Sequence, residues 1–442
     1  MDVTRREMIG SGAAAIAGSL LSSTALGQDQ PAATTRSSRQ PAQRPGEPGR
    51  DYLPVTVPNA TKPSFSVVDG VKVFHLVAEE YEHEFAPGLQ ALCWGHNRQV
   101  NANVIEAVEG DRVRIYVTNK LPAPTTVHWH GFILPNGMDG VSGLTQRPIP
   151  PGETWVYEFD LVQHGTFMFH SHHDTMTQEG LGLTGMFVIH PREPYDPPVD
   201  RDFALMLHEW RIDPGSYRPN PNEMTDFNVL TINGRVFPFV DPLVVRTGQR
   251  VRMRLCNLSA MDHHPIHLHG YEFHETAMDG QRIPADQQRK KVTTLVGVGE
   301  TRDIEFDAVY PGDWAFHCHM THHIMNQMGH DFPNMIGVDP AKFEQQARSM
   351  LPGYMTMGTT GMNDMTDTGM AIPENSIPMQ KGKGGFGVNI SLGGMAGVVA
   401  VRDDVSDQQL SRNEFPGWYE HPEGTVSYQA SAEQLRRDGI NV

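Results

Sequence analysis

The sequence is poor in cysteine and in charge. Its 442 residues include three cysteines, Cys93, Cys256 and Cys318, which are too few for a disulfide framework. Only 20% of the residues are charged, and the net charge of -17 argues against nucleic acid as a partner. Glycine and proline are plentiful by comparison, at 43 and 33 residues, which favours a turn-rich β protein over a helical one.

Long apolar runs are also lacking, apart from one at the N-terminus. Residues 4–9 (Thr-Arg-Arg-Glu-Met-Ile) resemble a twin-arginine signal, and a small-residue apolar stretch follows. We therefore expect residues 1–27 to be a signal peptide for export to the periplasm or the outside, with a membrane anchor as the alternative. The mature chain is expected to have no membrane span. Residues 28–50, rich in Gln, Pro, Arg and Ser, are expected to be a disordered linker.

An internal repeat organises most of the remaining chain. Three segments recur in the same order: 128–131 as 267–270, 151–160 as 298–307, and 165–172 as 312–319. The copies lie about 140 residues apart, which is the length of a domain. Apolar and polar residues alternate within each copy, as they do in half-buried strands. We therefore predict an all-β protein of two Greek-key β-sandwich domains with antiparallel strands, at residues 51–195 and 200–345.

The C-terminal extension, residues 346–442, has a different composition. Its first part is rich in methionine among Gly, Thr and Asp, and its second part is rich in glycine. Two interpretations of the methionines stay open: a loop of arbitrary composition, or a thioether path for Cu(I), which soft sulfur ligands favour. The apolar segment 396–401 is expected to return a strand to a neighbouring sheet.

The segment around Cys318 carries the strongest chemical signal. Cys318 is flanked by His317 and His319, and His323 and Met328 follow at intervals of five residues. A thiolate, imidazoles and a weakly held thioether suit a blue copper centre, with a structural zinc site as the alternative. Successive side chains of a strand point to opposite faces, so this segment can serve two metal sites.

Three more histidine clusters occupy equivalent places in the two copies: His128-Trp129-His130, His170-Ser171-His172 and His264-Pro265-Ile266-His267-Leu268-His269. Together with the Cys318 segment they resemble the four copper-binding motifs of the multicopper oxidases, including laccases. The resemblance implies cupredoxin-like domains and four coppers per chain. It assigns the ligands as follows: type 1 copper, His264, Cys318, His323 and axial Met328; type 2 copper, His128 and His267; type 3 pair, His130, His170, His172, His269, His317 and His319.

Several neighbouring residues are assigned with less support from the motifs. Asp139 matches an acid that lies near the type 2 copper in this family and helps to deliver protons, although a plain turn Asp before Gly is the alternative. His322 is the rival of His323 for the type 1 site. Cys93 and Cys256 either pair in an oxidising compartment or stay reduced in the core. Ser171 stands where the second copy has Cys318, so the first domain is expected to carry no type 1 copper.

The spacing between the copies leaves no room for a third domain, so the resemblance is to the two-domain, small-laccase type. In that type the first domain of one subunit meets the second domain of its neighbour. This implies a homotrimer with a trinuclear copper cluster at each subunit interface.

The resemblance implies an oxidase that uses dioxygen as acceptor and a phenolic or aromatic amine donor. A metal oxidase acting on Cu(I) or Mn(II) is the alternative, favoured by the acidic balance and the methionines. A copper nitrite reductase and a copper-sequestering binder without turnover are the remaining possibilities.

Overall fold

A computed structural model describes residues 44–213, 216–325, four positions between 341 and 349, 383–388 and 390–441. The predicted signal peptide, Met328 and most of the Met-rich stretch lie outside the described residues. No helix in the described part of the chain has the length and apolarity needed to cross a membrane. The three cysteines are free and buried, so Cys93 and Cys256 are core residues.

The first domain contains nine strands. In chain order they are β1 (Phe65–Val68), β2 (Val71–Ala86), β3 (Leu89–His96), β4 (Asn103–Val108), β5 (Arg112–Asn119), β6 (His128–His130), β7 (Thr154–Asp160), β8 (Gly165–His170) and β9 (Thr184–His190). One sheet has the order β1-β2-β5-β7 with β3 beside β2, and the other has the order β4-β9-β8-β6. Alternating side chains of the two sheets enclose a core that contains Trp129, Phe159 and Phe187.

The second domain contains twelve strands. In chain order they are β10 (Arg201–Trp210), β11 (Val229–Ile232), β12 (Leu243–Arg246), β13 (Arg250–Asn257), β14 (His264–Leu268), β15 (Phe273–Met278), β16 (Gln281–Arg282), β17 (Arg289–Lys291), β18 (Thr293–Val296), β19 (Thr301–Asp307), β20 (Gly312–Cys318) and β21 (Ala396–Arg402). They form a seven-stranded sheet and a five-stranded sheet of order β12-β21-β20-β14-β18. Cys318 and Phe316 belong to the core between these sheets.

Helices are short and few in the described chain. Those described from end to end are α1 (Thr175–Gly180), α2 (Asp407–Arg412) and α3 (Ala432–Arg437), with 3-10 turns at Asn136–Met138, Ala285–Gln287 and His323–Met325. Helix α2 begins with a capping box, in which the Ser406 hydroxyl and the Gln409 side chain satisfy each other's backbone N–H groups.

Three details differ from the sequence-based expectations. Most strand pairs are antiparallel, but β2–β5, β4–β9, β10–β13 and β12–β21 are parallel, because these connections cross from one sheet of the sandwich to the other. Strand β21 pairs with both β12 and β20, so the second domain extends beyond residue 345. Residues 44–50, expected in a disordered linker, are ordered because the buried Asp111 carboxylate accepts the Gly46 N–H at 3.0 Å.

Two apolar clusters join the domains. One packs Phe85 and Cys93 of the first domain against Trp210 of the second, and the other packs Met168 against Met206 and Cys256. A buried network of ion pairs and hydrogen bonds also lies at the boundary between the domains. Arg254 pairs with Asp202 at 2.8 Å and with Asp303 at 3.2 Å, and it donates to the Thr166 hydroxyl across the domain boundary at 2.7 Å. The ion pairs themselves lie within the second domain, and the buried Thr166 hydroxyl joins them to the first domain, since it also donates to the Asp303 carboxylate at 2.7 Å. The apolar clusters and these hydrogen bonds together hold the two domains in a fixed orientation.

Candidate metal centres

Two neighbouring strands supply most of the donor groups in the second domain. Strands β14 and β20 are antiparallel, with Ile266 opposite Cys318 and His267 opposite His317. Because side chains alternate along a strand, Cys318 faces the sandwich core while His317 faces outward. A single strand therefore presents a thiol to one site and an imidazole to another.

Cys318, His264 and His323 form a buried donor trio. The Cys318 Sγ lies 3.7 Å from His264 Nδ1 and 3.3 Å from His323 Nδ1, and the two Nδ1 atoms lie 3.1 Å apart. All three residues have no solvent exposure. His322, the rival for this place, is exposed. One sulfur and two ring nitrogens converging in an apolar pocket are the donor set of a blue copper centre.

Polar groups contact the Nε2 side of the His264 and His323 rings. The Ser259 hydroxyl lies 2.6 Å from His264 Nε2, and Asp262 Oδ2 lies 3.5 Å from His323 Nε2. These contacts direct each Nδ1 lone pair towards Cys318, as outer-sphere partners of metal-binding histidines commonly do. Glu209 lies behind Asp262, because its Oε1 accepts the Asp262 N–H at 3.2 Å.

The electrostatics of the trio suit a cation. Burial raises the pKa of the Cys318 thiol to about 12, and burial together with the His323 ring holds the pKa of His264 well below its usual value. The Cys318 thiol and the His264 ring are therefore neutral at pH 7 without a metal. A bound cation would supply the positive charge that lets the thiol release its proton, so the pocket fits a thiolate-bound metal.

A second donor cluster lies in the first domain, where β6 and β8 place His128 opposite His170. The donor atoms of His128, His130 and His170 lie within 4.8 Å of one another. His172 is near, with its ring centroid 5.4 Å from that of His128. His128 Nδ1 lies 2.8 Å from the Asp139 carbonyl oxygen, which leaves Nε2 as the free donor. The Asp139 carboxylate lies 3.5 Å from the same nitrogen.

His170 has an acidic partner that the sequence analysis missed. Its Nδ1 lies 3.0 Å from the Ser171 carbonyl oxygen and 2.6 Å from Glu179 Oε1. The N–H direction favours the carbonyl, so Glu179 contributes its charge at close range. Burial alone would lower the pKa of His170, but the Glu179 carboxylate outweighs it and the net shift is upward.

The outward faces of β14 and β20 carry a matching cluster. The ring centroid of His267 lies 4.8 Å from that of His269 and 5.7 Å from those of His317 and His319. His269 Nε2 and His317 Nε2 are 3.1 Å apart. His267 Nδ1 lies 2.6 Å from the Val292 carbonyl oxygen, just as His128 Nδ1 lies against a carbonyl in the first domain.

The two histidine clusters remain separate within this chain. Among the described residues, no hydrogen bond or ring contact joins a histidine of one cluster to a histidine of the other. His269 and His319 are exposed. The second-domain cluster is therefore open to solvent in a single copy of the chain.

The remaining histidines near these clusters have other contacts. His173 Nδ1 lies 2.9 Å from the Ser142 hydroxyl, and His263 Nδ1 accepts the Val298 N–H at 3.0 Å. The structure therefore gives both side chains roles outside the donor sets. No sequence motif marks the polar residues that support the histidines, because only the fold brings them close. These residues are Ser259, Asp262, Glu209 and Glu179.

Fold and donor sets together define a copper protein with cupredoxin-like domains. A family model described as multicopper oxidase matches residues 78–194, and a second model of the same description matches residues 213–337. The chain belongs to the multicopper oxidase family, which implies copper cofactors.

Curated relatives and solved structures agree with this assignment. The chain is 30% identical to copper resistance protein A of Escherichia coli over 46% of this chain and 40% of that protein. It is 29% identical to multicopper oxidase MmcO of Mycobacterium tuberculosis over 49% and 48%. The chain thus spans less than half the length of these relatives. The blue copper oxidase of Nitrosomonas europaea superposes with a TM-score of 0.55 at 25% identity, covering 74% of this chain and 85% of that one.

Proposed function

We propose that this chain couples one-electron oxidation of a phenolic or aromatic amine donor to the four-electron reduction of dioxygen to water. The observation that carries the proposal is the buried Cys318 trio, whose cysteine is covalently continuous with His317 and His319 of the outward cluster. His264, Cys318 and His323 would hold a type 1 copper, with Met328 as the axial ligand. His128 and His267 would hold a type 2 copper. The remaining ligands would hold a type 3 pair: His130, His170, His172, His269, His317 and His319.

The residues present perform three tasks in this scheme. Copper bound there would supply one-electron redox chemistry at the trio and dioxygen reduction at the cluster. The peptide link from Cys318 to its two neighbours provides a short covalent path between the sites. Ser259, Asp262 and four backbone carbonyls orient six of the imidazoles and favour one tautomer in each of those rings. The Asp139 carboxylate, beside His128, is placed to hold and pass protons.

The complete cluster would require a second copy of the chain, and we propose a homotrimer. The fixed domain orientation keeps the two half-sites apart, and each half-site has an exposed apolar rim. Ile133 and Leu144 are 66% and 81% exposed in the first domain, and Val292 and Leu295 are 48% and 53% exposed in the second. Such patches favour protein contacts. Sedimentation that shows an active, fully loaded monomer would contradict this assembly.

A Cu(I) or Mn(II) oxidase is the second candidate, and one observation favours it. Glu209 is 2% exposed. Its Oε2 has no hydrogen-bond partner among the described residues, and neither does Asp262 Oδ2. This carboxylate pair lies behind His323. Met261 and Met320 are 48% and 38% exposed on the surface nearby. Asp262, whose pKa the His323 contact lowers, keeps a negative charge beside a type 1 ligand and would favour a cationic donor.

Oxygen uptake with a panel of donors, measured together with copper content per chain, tests the proposal. Uptake with phenols and four coppers per chain is the expected result. Copper binding without oxygen uptake would favour a copper-sequestering protein, and nitrite reduction without oxygen uptake would favour a nitrite reductase.

Asp262→Asn separates the two candidate donors. If a metal ion is the donor, its oxidation should fall about tenfold or more while phenol oxidation changes less, because the variant loses the negative charge. Asp286→Asn removes an exposed acid from the same domain and serves as the control. Equal losses with both donors would argue against a metal-ion site at Asp262.

We also propose twin-arginine export, because residues 4–9 carry the motif and a cofactor-loaded fold suits that route. Loss of export from a chain with both arginines replaced by lysine, Arg5→Lys with Arg6→Lys, is the expected result.

A further inference from the structure

Helix α1 brings a carboxylate to one of the proposed cluster ligands. Asp174 adopts a left-handed conformation with φ of 47°, which lets the chain turn sharply after His172 and His173 and start the helix at Thr175. The helix then runs back beside β8. Glu179, near its end, reaches His170 with its Oε1 2.6 Å from the ring Nδ1.

The Gln178 side chain, which is 1% exposed, anchors the helix to the domain. Gln178 Oε1 accepts hydrogen bonds from the Thr125 hydroxyl at 2.7 Å and the Ser171 hydroxyl at 2.6 Å. Its Nε2 donates to the Pro124 carbonyl oxygen at 2.8 Å. Two buried hydroxyls and one carbonyl oxygen thus restrain the Gln178 side chain, which holds the adjacent Glu179 in place.

The Glu179 oxygen at this contact has no other polar partner among the described residues. Glu179 Oε1 is buried and receives no directed hydrogen bond from any described residue. A buried carboxylate oxygen without a donor is costly, so its position beside an imidazole points to a role at that ring. The opposite ring nitrogen, His170 Nε2, lies 3.3 Å from His130 Nδ1 at the centre of the half-site.

The second domain offers a natural comparison. His317 is the equivalent of His170, and its Nδ1 lies 2.9 Å from the Cys318 carbonyl oxygen. Within the described ranges, no carboxylate pairs with His317. The carbonyl contact is therefore common to both domains, and the acidic partner is specific to the first.

We propose that Glu179 is a positioning residue that holds the His170 ring with Nε2 directed into the cluster and strengthens it as a copper ligand. The inference rests on the proposed function, since it takes His170 to be a ligand. A carboxylate behind a metal-bound histidine fixes the ring and makes it a stronger donor, and its removal typically weakens metal binding by about 10–100-fold.

The test uses Glu179→Gln, which keeps the side-chain shape and removes the charge. The full-length apoprotein is titrated with copper ions against a competing chelator, and the blue absorption of the Cys318 site is followed separately from total copper. We expect copper affinity at the cluster to fall about 10–100-fold and the blue absorption to stay unchanged. The fraction of bound copper visible by electron paramagnetic resonance should rise, because a misplaced type 3 pair loses its spin coupling.

Glu109→Gln is the matched control. Glu109 pairs with His164 Nδ1 at 2.9 Å in the same domain, but His164 belongs to none of the donor sets. This variant should bind copper like the wild type, and both apoproteins should keep their thermal unfolding midpoints. Wild-type copper affinity and spin coupling in Glu179→Gln would overturn the inference alone. A wild-type protein that binds copper only at Cys318 would overturn the proposed function and the inference with it.

Discussion

The same pocket exists in both domains but is filled differently. In the second domain, the Cys318 sulfur and the Nδ1 atoms of His264 and His323 converge on one another, while Ser259 contacts the opposite side of the His264 ring. In the first domain, Ser171 stands at the position of Cys318, and Thr125 stands three residues before His128, as His264 stands before His267. There the Ser171 and Thr125 hydroxyls both donate to Gln178.

The comparison shows how one β-sandwich serves two purposes. Thiol and imidazole leave soft lone pairs converging on an empty centre, which favours a metal. Hydroxyls and an amide satisfy one another, which leaves nothing for a metal and instead fastens helix α1. The outward faces of the same strands keep their histidines in both domains, so only the inner pocket has diverged.

Cys318→Ser should have the largest effect, because it gives the second domain the residue of the first. Without the thiolate we expect the blue absorption to disappear and donor oxidation to fall to the uncatalysed background. Copper at the cluster should remain, which metal analysis can check. Cys93→Ala removes a buried thiol outside the donor sets and should keep the absorption. Normal turnover in a Cys318→Ser protein would contradict the claim that the thiol distinguishes the second-domain pocket from the first.

Gln178→Ala should have the next largest effect, on stability. It removes the near acceptor of the buried Thr125 and Ser171 hydroxyls, which keep only longer contacts to the Thr126 and His173 carbonyls at 3.3 and 3.2 Å. Each lost hydrogen bond costs about 0.5–1.5 kcal/mol. The free energy of unfolding of the metal-free protein, from urea titration, should fall accordingly while the blue absorption persists. The exposed Gln287→Ala should change stability by no more than about 0.5 kcal/mol. An unchanged midpoint in Gln178→Ala would show that the polar pocket does not fasten the helix.

The last expected effect is a pH dependence that originates at Glu209 in the second domain. Burial and the neighbouring Asp262 raise the pKa of Glu209 from 4.5 to about 8. The unfolded chain releases this proton near pH 4.5 and the folded chain only near pH 8. The contribution of Glu209 to the free energy of unfolding is therefore fully present below pH 4.5 and is lost as pH rises through 8.

Urea midpoints of the metal-free protein across this range should fall with rising pH, and Glu209→Gln should flatten the decline. The first-domain carboxylate Glu106, whose pKa is lowered by His190 and Lys62 despite burial, provides the contrast. An equally steep decline in Glu209→Gln would assign the dependence to other groups.

The fold and the grouping of the histidines with Cys318 were largely predictable, and the reasons are local. Alternation along short segments predicts strands, and the His-x-His spacing places pairs on one face of a strand. The supporting residues were not predictable, because Glu209 is far from His323 in sequence and Glu179 reaches His170 only through the turn at Asp174. Parallel pairs such as β12–β21 also escape local patterns, since they join segments that are distant along the chain.

Strand β21 has a consequence for when the Cys318 pocket can close. It lies between β12 and β20, and the Met395 carbonyl beside it accepts the Cys318 N–H at 3.0 Å while the Met395 N–H donates to the His323 carbonyl at 3.1 Å. A ribosome must therefore release residue 402 before the sheet that carries the thiol is complete. Any metal bound by the Cys318 trio would therefore be enclosed only after both domains and strand β21 have been synthesised.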